Sequence, residues 1–441
     1  MKNTIYTPLN QFILFNSIRE DDVFVSTSLL CNNPFVMTKN TVMDRYYDVQ
    51  RTLLSSVGQK EISGNHLQNH ICKIISGEEN VFTLMSESGV FSNLKEGMPT
   101  IEISKILSET AFAVFTLAVN EIEMIYGVYN YDYVNIEDVL DGRNVAAFRP
   151  KVSDGLSRRE VVHKALSIKN PVDSAILLAT YYRSYGSGIF ESANAFELTK
   201  ELEPVTNIDP IVMSDLIGYD RQKQSLIENT EILIKGLPAN NVLLYGDSGT
   251  GKSSSVKALL NMYSAKGLKM ISVSKENLVH LPDLLEKIST RGMKFIVYID
   301  DLSFEENEVE YKTFKSVIEG SLNNKPQNTI FVVTSNRRNI VKEVWSDRRD
   351  QDDIRMRDNI QEKRSLSDRF GLTLIYSSPN KEEYLEIVKG IAKSKGLTFD
   401  EESFLTEALQ WEIRHGGRSG RAARQFVDYK IGKSIIENQE R

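Results

Sequence analysis

Gly246, Gly251, Lys252 and Ser253 stand in the order Gly-x4-Gly-Lys-Ser within the run Asn241-Val-Leu-Leu-Tyr-Gly-Asp-Ser-Gly-Thr-Gly-Lys-Ser-Ser-Ser255. Residues of these types at this spacing let backbone N–H groups close around phosphate oxygens, which Gly246, Gly249 and Gly251 permit because they carry no Cβ. Lys252 supplies a point charge suited to the β- and γ-phosphates of a nucleotide, and the Ser253 hydroxyl is a ligand for Mg2+. Asp247, Ser248, Thr250 and Ser254 complete the loop. Without a nucleotide the Lys252 ammonium is expected to face solvent. Such a loop needs a strand entering it and a helix leaving it. Val242-Leu-Leu-Tyr245 is a short apolar run, and Ser254 to Tyr263 has helical periodicity, with the positive end of the helix pointing at the anion.

A second set of chemistry-bearing residues follows about 50 residues later. The apolar run Phe295-Ile-Val-Tyr-Ile299 ends in Asp300-Asp301. A hard dication prefers carboxylate oxygen, so Asp300 is the candidate metal ligand, and Asp301 could orient or deprotonate an attacking water. Glu305 and Glu306 are alternatives for that role. An acidic pair there could also be a turn or helix cap. The run Ile330-Phe-Val-Val333 leads into Thr334-Ser-Asn336, where an amide at the carboxyl end of a strand would face the terminal phosphate, or else form a turn before Arg337-Arg338.

The elements that must position these groups fall in three regions. Residues 1–205 read as a mostly helical domain, a candidate for partner selection. Asp44 to Ser56, Thr100 to Ala118 and Pro171 to Tyr185 have helical spacing, and Asp22-Val-Phe-Val-Ser26 alternates like a short strand. His66 and His70, with Cys72 nearby, have a spacing that can place two metal ligands on one helical face, although no Glu follows the first His. The cluster Tyr181-Tyr-Arg-Ser-Tyr-Gly-Ser-Gly188 could stack bases, or be a helix end capped by Gly186 or Gly188 with its tyrosines packed against the next domain. Residues 206–378 alternate strands with helices, as in an α/β doubly wound parallel sheet. The strand runs there are short and nearly continuous, Leu268 to Val273, Lys294 to Asp301, Thr329 to Val333 and Leu372 to Tyr376, as strands buried on both faces should be. Helical stretches run from Asn277 to Ile288 and from Glu310 to Leu322. The charged connection Asp347 to Asp358 reads as a solvated loop. Residues 379–441 suit three helices, Lys381 to Lys395, Glu401 to Arg414 and Ser419 to Ile436, forming a helical lid.

Composition excludes several classes. The 441 residues carry 41% hydrophobic and 26% charged residues with a net charge of −7, ordinary for a soluble multidomain protein and unfavourable for a surface that binds nucleic acid throughout. No run approaches the roughly 18 apolar residues of a membrane span, and the N-terminus lacks the apolar core of a signal peptide. Only Cys31 and Cys72 are present, which reads as free thiols in a reducing, cytoplasmic setting.

The phosphate loop, Asp300-Asp301, Thr334-Ser-Asn336, Ser367-Asp-Arg369-Phe370-Gly371 and Ser419-Gly-Arg421 together resemble the AAA+ P-loop ATPases. Gly236-Leu-Pro-Ala-Asn-Asn, Asp300-Asp-Leu-Ser-Phe304, Thr334-Ser-Asn-Arg-Arg338 and Ser365-Leu-Ser-Asp368 look more narrowly like a bacterial AAA+-type family that is still a domain of unknown function. The resemblance covers roughly Pro171 to Val427. It implies ATP and Mg2+ as ligands, Asn336 as the γ-phosphate sensor, Arg369 as an arginine finger from a neighbouring subunit of a homo-oligomer, and Ile217-Gly218 along the adenine. It also implies Arg421 as the lid sensor, with Arg418 and Arg424 as competitors. Asp301 stands where most members have Glu, which implies slow hydrolysis, and helicase loaders share the Asp-Asp ending. An aromatic-hydrophobic-Gly threading element is missing after Val273. The expected activity is Mg2+-dependent ATP hydrolysis that remodels or loads a protein or nucleic-acid partner, aided by a basic lid run of Arg414, Arg418, Arg421, Arg424, Lys430 and Lys433. The alternative is a slow regulatory ATP-binding module.

Overall fold

A computed structural model describes residues 11–32, 39–55, 66–130, 158–304, 308–319, 326–337 and 369–439. The chain divides into two compact units, one of residues 1–192 with 291–293, the other of residues 193–290 and 294–441. The charged connection 347–358, Glu305, Glu306, Arg338 and Ser365 to Asp368 lie outside the described residues.

The first unit is helical. Asp22–Asn32 is a helix rather than a strand; the Asp21 carboxylate accepts the Phe24 N–H at 2.7 Å and starts it, and five residues were too few to separate the two periods. The Thr100 to Ala118 stretch is broken into Thr100–Ile106 and Glu109–Tyr129, because Ser108 caps a new helix through the Ala111 N–H. Pro171–Tyr185 is helical as expected and is capped by Gly186. Tyr181 and Tyr182 are buried in the core of this same unit, with Phe82, Phe115 and Ile122, so the tyrosine cluster is a helix end and not a stacking platform.

Glu109–Tyr129 is long and apolar enough to cross a membrane by length and composition, which the sequence reading overlooked. Here Phe115, Ala118, Ile122 and Ile125 line the helical core. Glu121 on the same helix is 1% exposed, and its carboxylate accepts the N–H groups of Ile13, Leu14 and Phe15 at 2.8 to 3.1 Å. A buried carboxylate is tolerated when such donors replace its water. His70 pairs with Asp21 at 2.9 Å and Cys72 contacts the Tyr129 hydroxyl. The histidine spacing therefore gathers no metal cluster among the described residues.

The second unit is built on a seven-stranded sheet in the order β2-β1-β4-β5-β6-β3-β7. The strands are β1 (Ala195–Leu198), β2 (Leu202–Val205), β3 (Val242–Gly246), β4 (Leu268–Val273), β5 (Lys294–Ile299), β6 (Thr329–Ser335) and β7 (Leu372–Tyr376). Only β2 is antiparallel to its neighbour. The unit thus begins at Ala193, ahead of the boundary expected at 206, because β1 pairs in parallel with β4. Helices Asp220–Ile234 and Lys252–Tyr263 bury Leu226, Leu233, Val256 and Leu260 against Leu244, Ile296 and Val332 on one face. On the other face Phe314 of helix Val309–Glu319 meets Phe331 edge-on, with ring centroids 6.2 Å apart. The C-terminal helices Lys381–Ser394, Glu401–Arg414 and Gly420–Gln439 close around Tyr384, Val388, Phe404 and Phe426.

Within the helical unit Arg291 is anchored by Glu87, donating from Nη2 at 2.6 Å and from Nε at 3.0 Å, and by Glu79 at 2.7 Å. Its side chain is 5% exposed and that of Glu87 is fully buried. Removing one member leaves an uncompensated charge, so Arg291→Ala should lower stability by about 3–5 kcal/mol. Urea unfolding followed by far-ultraviolet circular dichroism measures it, and a loss below about 1 kcal/mol would show that the pair does not anchor the unit.

Candidate active site

Register assembles the site. Leu244 of β3 pairs with Thr334 of β6 and Tyr245 with Ser335, while Ile299 of β5 pairs with Val333. One step further along, the phosphate loop, Asn336 and the Asp300-Asp301 ending meet at the carboxyl edge of three adjacent strands, where open parallel sheets bind ligands. The contacts bear this out. The Asn336 side chain accepts from Lys252 Nζ at 3.3 Å and donates to Asp301 Oδ1 at 2.6 Å. Ser253 Oγ donates to Asp300 Oδ1 at 2.7 Å.

The loop itself is held by packing as much as by any ligand it would cradle. Gly246 has φ 137° and a Cβ there would lie 2.1 Å from the Tyr376 carbonyl oxygen, so β7 alone forbids a side chain. At Gly249, with φ 76°, a Cβ would come within 3.1 Å of Ser419 Oγ. Lys252 is 7% exposed and donates to the carbonyls of Gly246 at 2.8 Å and Asp247 at 2.7 Å. The solvent-facing ammonium expected from the sequence is thus a buried one, because the loop's own carbonyls fold over it. Burial holds its pKa below the usual lysine value, against the pull of Asp301, Asp247 and Asp300. The Asp247 carboxylate accepts the Ser378 N–H at 2.7 Å, and hydrogen bonding to Ser378, through its side chain and its N–H, lowers the carboxyl pKa.

Asp300 is ionised more readily than a free carboxyl. Partial burial would raise its pKa, but the hydrogen bonds from Thr334 and Ser253 help to outweigh it. Ser253 and Asp300 offer only hard oxygens 2.7 Å apart. Among the described residues no group of three or more His, Cys, Asp or Glu is arranged to hold a metal. This pair suits Mg2+, which is held by one or two side chains together with waters and substrate phosphates.

A cleft of about 440 Å³ runs from these residues to Ile217, Gly218 and Tyr219. Lys252, Ser253, Asp300, Asp301 and Asn336 line one end. Ser248, Gly249, Thr250, Gly251 and Ser254 also line it, as do Arg421 and Arg424. Ile387 and Ile391 of helix Lys381–Ser394 wall the apolar end. Arg421 donates its backbone N–H to the Gly249 carbonyl at 3.1 Å, so the last helix starts directly on the phosphate loop. Arg418 instead pairs with Glu412 at 2.7 Å, which leaves Arg421 and Arg424 as the arginines at the cleft among the described residues. Arg369 is exposed and is not among the residues that line the cleft. Sequence reasoning missed Tyr219, whose hydroxyl donates to the Ser377 carbonyl at 2.7 Å and whose ring stacks on Tyr376. No motif announced it; it lies one residue beyond Gly218 in a left-handed conformation, φ 57°.

The family described as protein of unknown function DUF815 matches residues 191–434. The chain belongs to that family. Strand order, loop and cleft give this DUF815 member a doubly wound α/β P-loop fold. Solved structures of the RuvB Holliday junction branch migration motor of Thermotoga maritima are similar at 15% identity, over 52% of this chain and 67% of RuvB, with a TM-score of 0.36. A variant of the same protein gives 16% identity and a TM-score of 0.37 over the same shares. No protein of curated function matches the sequence.

A nucleotide that binds only the folded cleft raises its stability by mass action. ATP with Mg2+ at about 100 times its Kd should stabilise the native chain by about 2.7 kcal/mol and Lys252→Ala by less than about 1 kcal/mol, read from thermal unfolding. Equal shifts in the two proteins would remove Lys252 from the binding site.

Proposed function

We propose that this chain binds ATP with Mg2+ and hydrolyses it, using nucleotide state to change the position of a C-terminal lid and the contacts between subunits. The observation that carries the reading is the row from Lys252 through Asn336 to Asp301, beside the Ser253–Asp300 pair, in one cleft. In this reading the loop amides and Lys252 bind the phosphates, and Ile217-Gly218 lies along the adenine. Ser253 and Asp300 would hold Mg2+, which when bound neutralises phosphate charge. Asp301 holds the attacking water and receives its proton on a carboxylate oxygen. Asn336 keeps that carboxylate in place and senses the terminal phosphate. Arg421 couples the phosphates to the lid, since its helix begins against Gly249.

Arg369 serves a neighbouring protomer. Its exposure and its place away from its own cleft favour that assignment over a role within one subunit, and a guanidinium that stays charged and forks onto phosphate oxygens suits the task. The protein would act in the cytoplasm as a homo-oligomer, with residues 1–205 selecting a macromolecular partner.

The slow, regulatory form of this activity has its own support. Asp301 is one methylene shorter than Glu, and of the basic lid run Arg418 and Lys430 are paired with Glu412 and Glu407 while Arg421 and Arg424 face the cleft. Little of that run is left as a free stripe for nucleic acid, which favours a protein partner.

Two experiments test the proposal. Asp301→Asn should bind ATP as tightly as the native chain and hydrolyse it at least about tenfold more slowly, because general-base contributions are worth roughly 10²–10⁴. Unchanged turnover would move the base elsewhere. Arg369→Ala and Lys252→Ala should each be inactive alone and recover activity when mixed, since an intact loop from one protomer then meets an intact Arg369 from another. A mixture that stays inactive while subunits exchange would place Arg369 in its own subunit.

A further inference from the structure

The Thr334 hydroxyl touches both acidic residues at once. Thr334 is 1% exposed. Its Oγ1 donates to Asp300 Oδ1 at 2.5 Å and accepts the Asp301 backbone N–H at 2.8 Å. The polarity of these bonds is forced. An ionised carboxylate only accepts and a backbone amide only donates, so the single hydroxyl proton must point at Asp300 and a lone pair at Asp301. The turn is stitched again by the Leu302 N–H on the Thr334 carbonyl at 2.8 Å and by Ser335 Oγ on the Leu302 carbonyl at 2.9 Å.

This stitching holds an unfavourable conformation. Asp301 has φ 50°, and Asp301 and Tyr219 are the non-glycine residues with positive φ among those described. Such a residue persists where its surroundings over-determine it. The short side chain makes the backbone matter more: with one methylene between Cα and the carboxyl group, the direction of the Asp301 carboxylate is set almost entirely by φ, ψ and χ1. Asn336 fixes the far end of that side chain at Oδ1, and Thr334 fixes the near end at the amide.

We propose that Thr334 is the positioning residue of the site, its one hydroxyl setting the rotamer of Asp300 and the left-handed backbone of Asp301 together. This rests on the hydrolysis reading for its effect on turnover, but not for its effect on the turn. Valine has the shape of threonine and suits a buried strand, so Thr334→Val removes both hydrogen bonds with little change in volume. Thr334→Ser keeps the hydroxyl.

The test has three readouts on the full chain. Hydrogen exchange of the Asp301 amide, at single-residue resolution without nucleotide, should be at least about fivefold faster in Thr334→Val and near native in Thr334→Ser. ATP affinity in the presence of a chelator should stay within about twofold of native in both variants, since Lys252 and the loop are untouched. The maximal hydrolysis rate should fall at least about tenfold in Thr334→Val and return to within about threefold of native in Thr334→Ser. Native exchange at Asp301 in Thr334→Val overturns the proposal, as does a native hydrolysis rate in that variant or failure of serine to restore it. A native chain that does not hydrolyse ATP at all defeats the functional reading instead, and the exchange measurement still decides the role of Thr334.

Discussion

One side-chain amide stands between opposite charges at the centre of the candidate site. Asn336 offers its oxygen to the Lys252 ammonium and its nitrogen to the Asp301 carboxylate, and a side-chain amide, with acceptor and donor on separate atoms, can face a cation and an anion together. The arrangement is available because β6 lies between β3, which delivers the phosphate loop, and β5, which delivers the acidic pair. Were β3 and β5 adjacent, Lys252 and Asp301 would confront each other without a mediating dipole. Sheet order is therefore a chemical constraint as much as a topological one, and the wholly buried β6 is its axle.

Strain marks both ends of the cleft. Asp301 at the phosphate end and Tyr219 at the apolar end have left-handed backbones, and each is tied to a strand end, Asp301 to Thr334 and Tyr219 to the Tyr376–Ser377 segment. That same segment presses its carbonyl against Gly246 and leads through Ser378, bonded to Asp247, into helix Lys381–Ser394. The phosphate loop thus touches the chain at the entry to the C-terminal helices and, through Gly249, at the start of their last helix. A ligand in the loop would bear on both ends of the lid.

The sequence was most legible where one element decides its own fate. Leu268–Val273, Leu372–Tyr376, Pro171–Tyr185 and Glu401–Arg414 have the same bounds in the structure as in the residue pattern, and Ser248 to Ser254 of the phosphate loop line the cleft, whereas Gly246 and Asp247 do not. Legibility failed where a partner decides. Phe196 and Leu198 are buried around exposed Glu197, but four residues cannot announce a strand until β4 is there to pair with them. Asp22 to Ser26 alternated by chance within a longer helical period. The burial of Lys252 and the double role of Thr334 follow from loop carbonyls and a neighbouring strand, neither of which leaves a mark on the spacing of residues.

The central claim is that the row from Lys252 to Asp301 is a nucleotide-triphosphate site completed by a metal at Ser253 and Asp300. Isothermal titration of the full chain with ATP, once with Mg2+ and once with chelator, tests it most directly. The expected result is saturable one-site binding with Mg2+, with a Kd of about micromolar order or tighter, weakened at least about tenfold by the chelator. Absence of binding heat under both conditions at protein concentrations far above that Kd, confirmed by an equally unresponsive melting temperature, would contradict it.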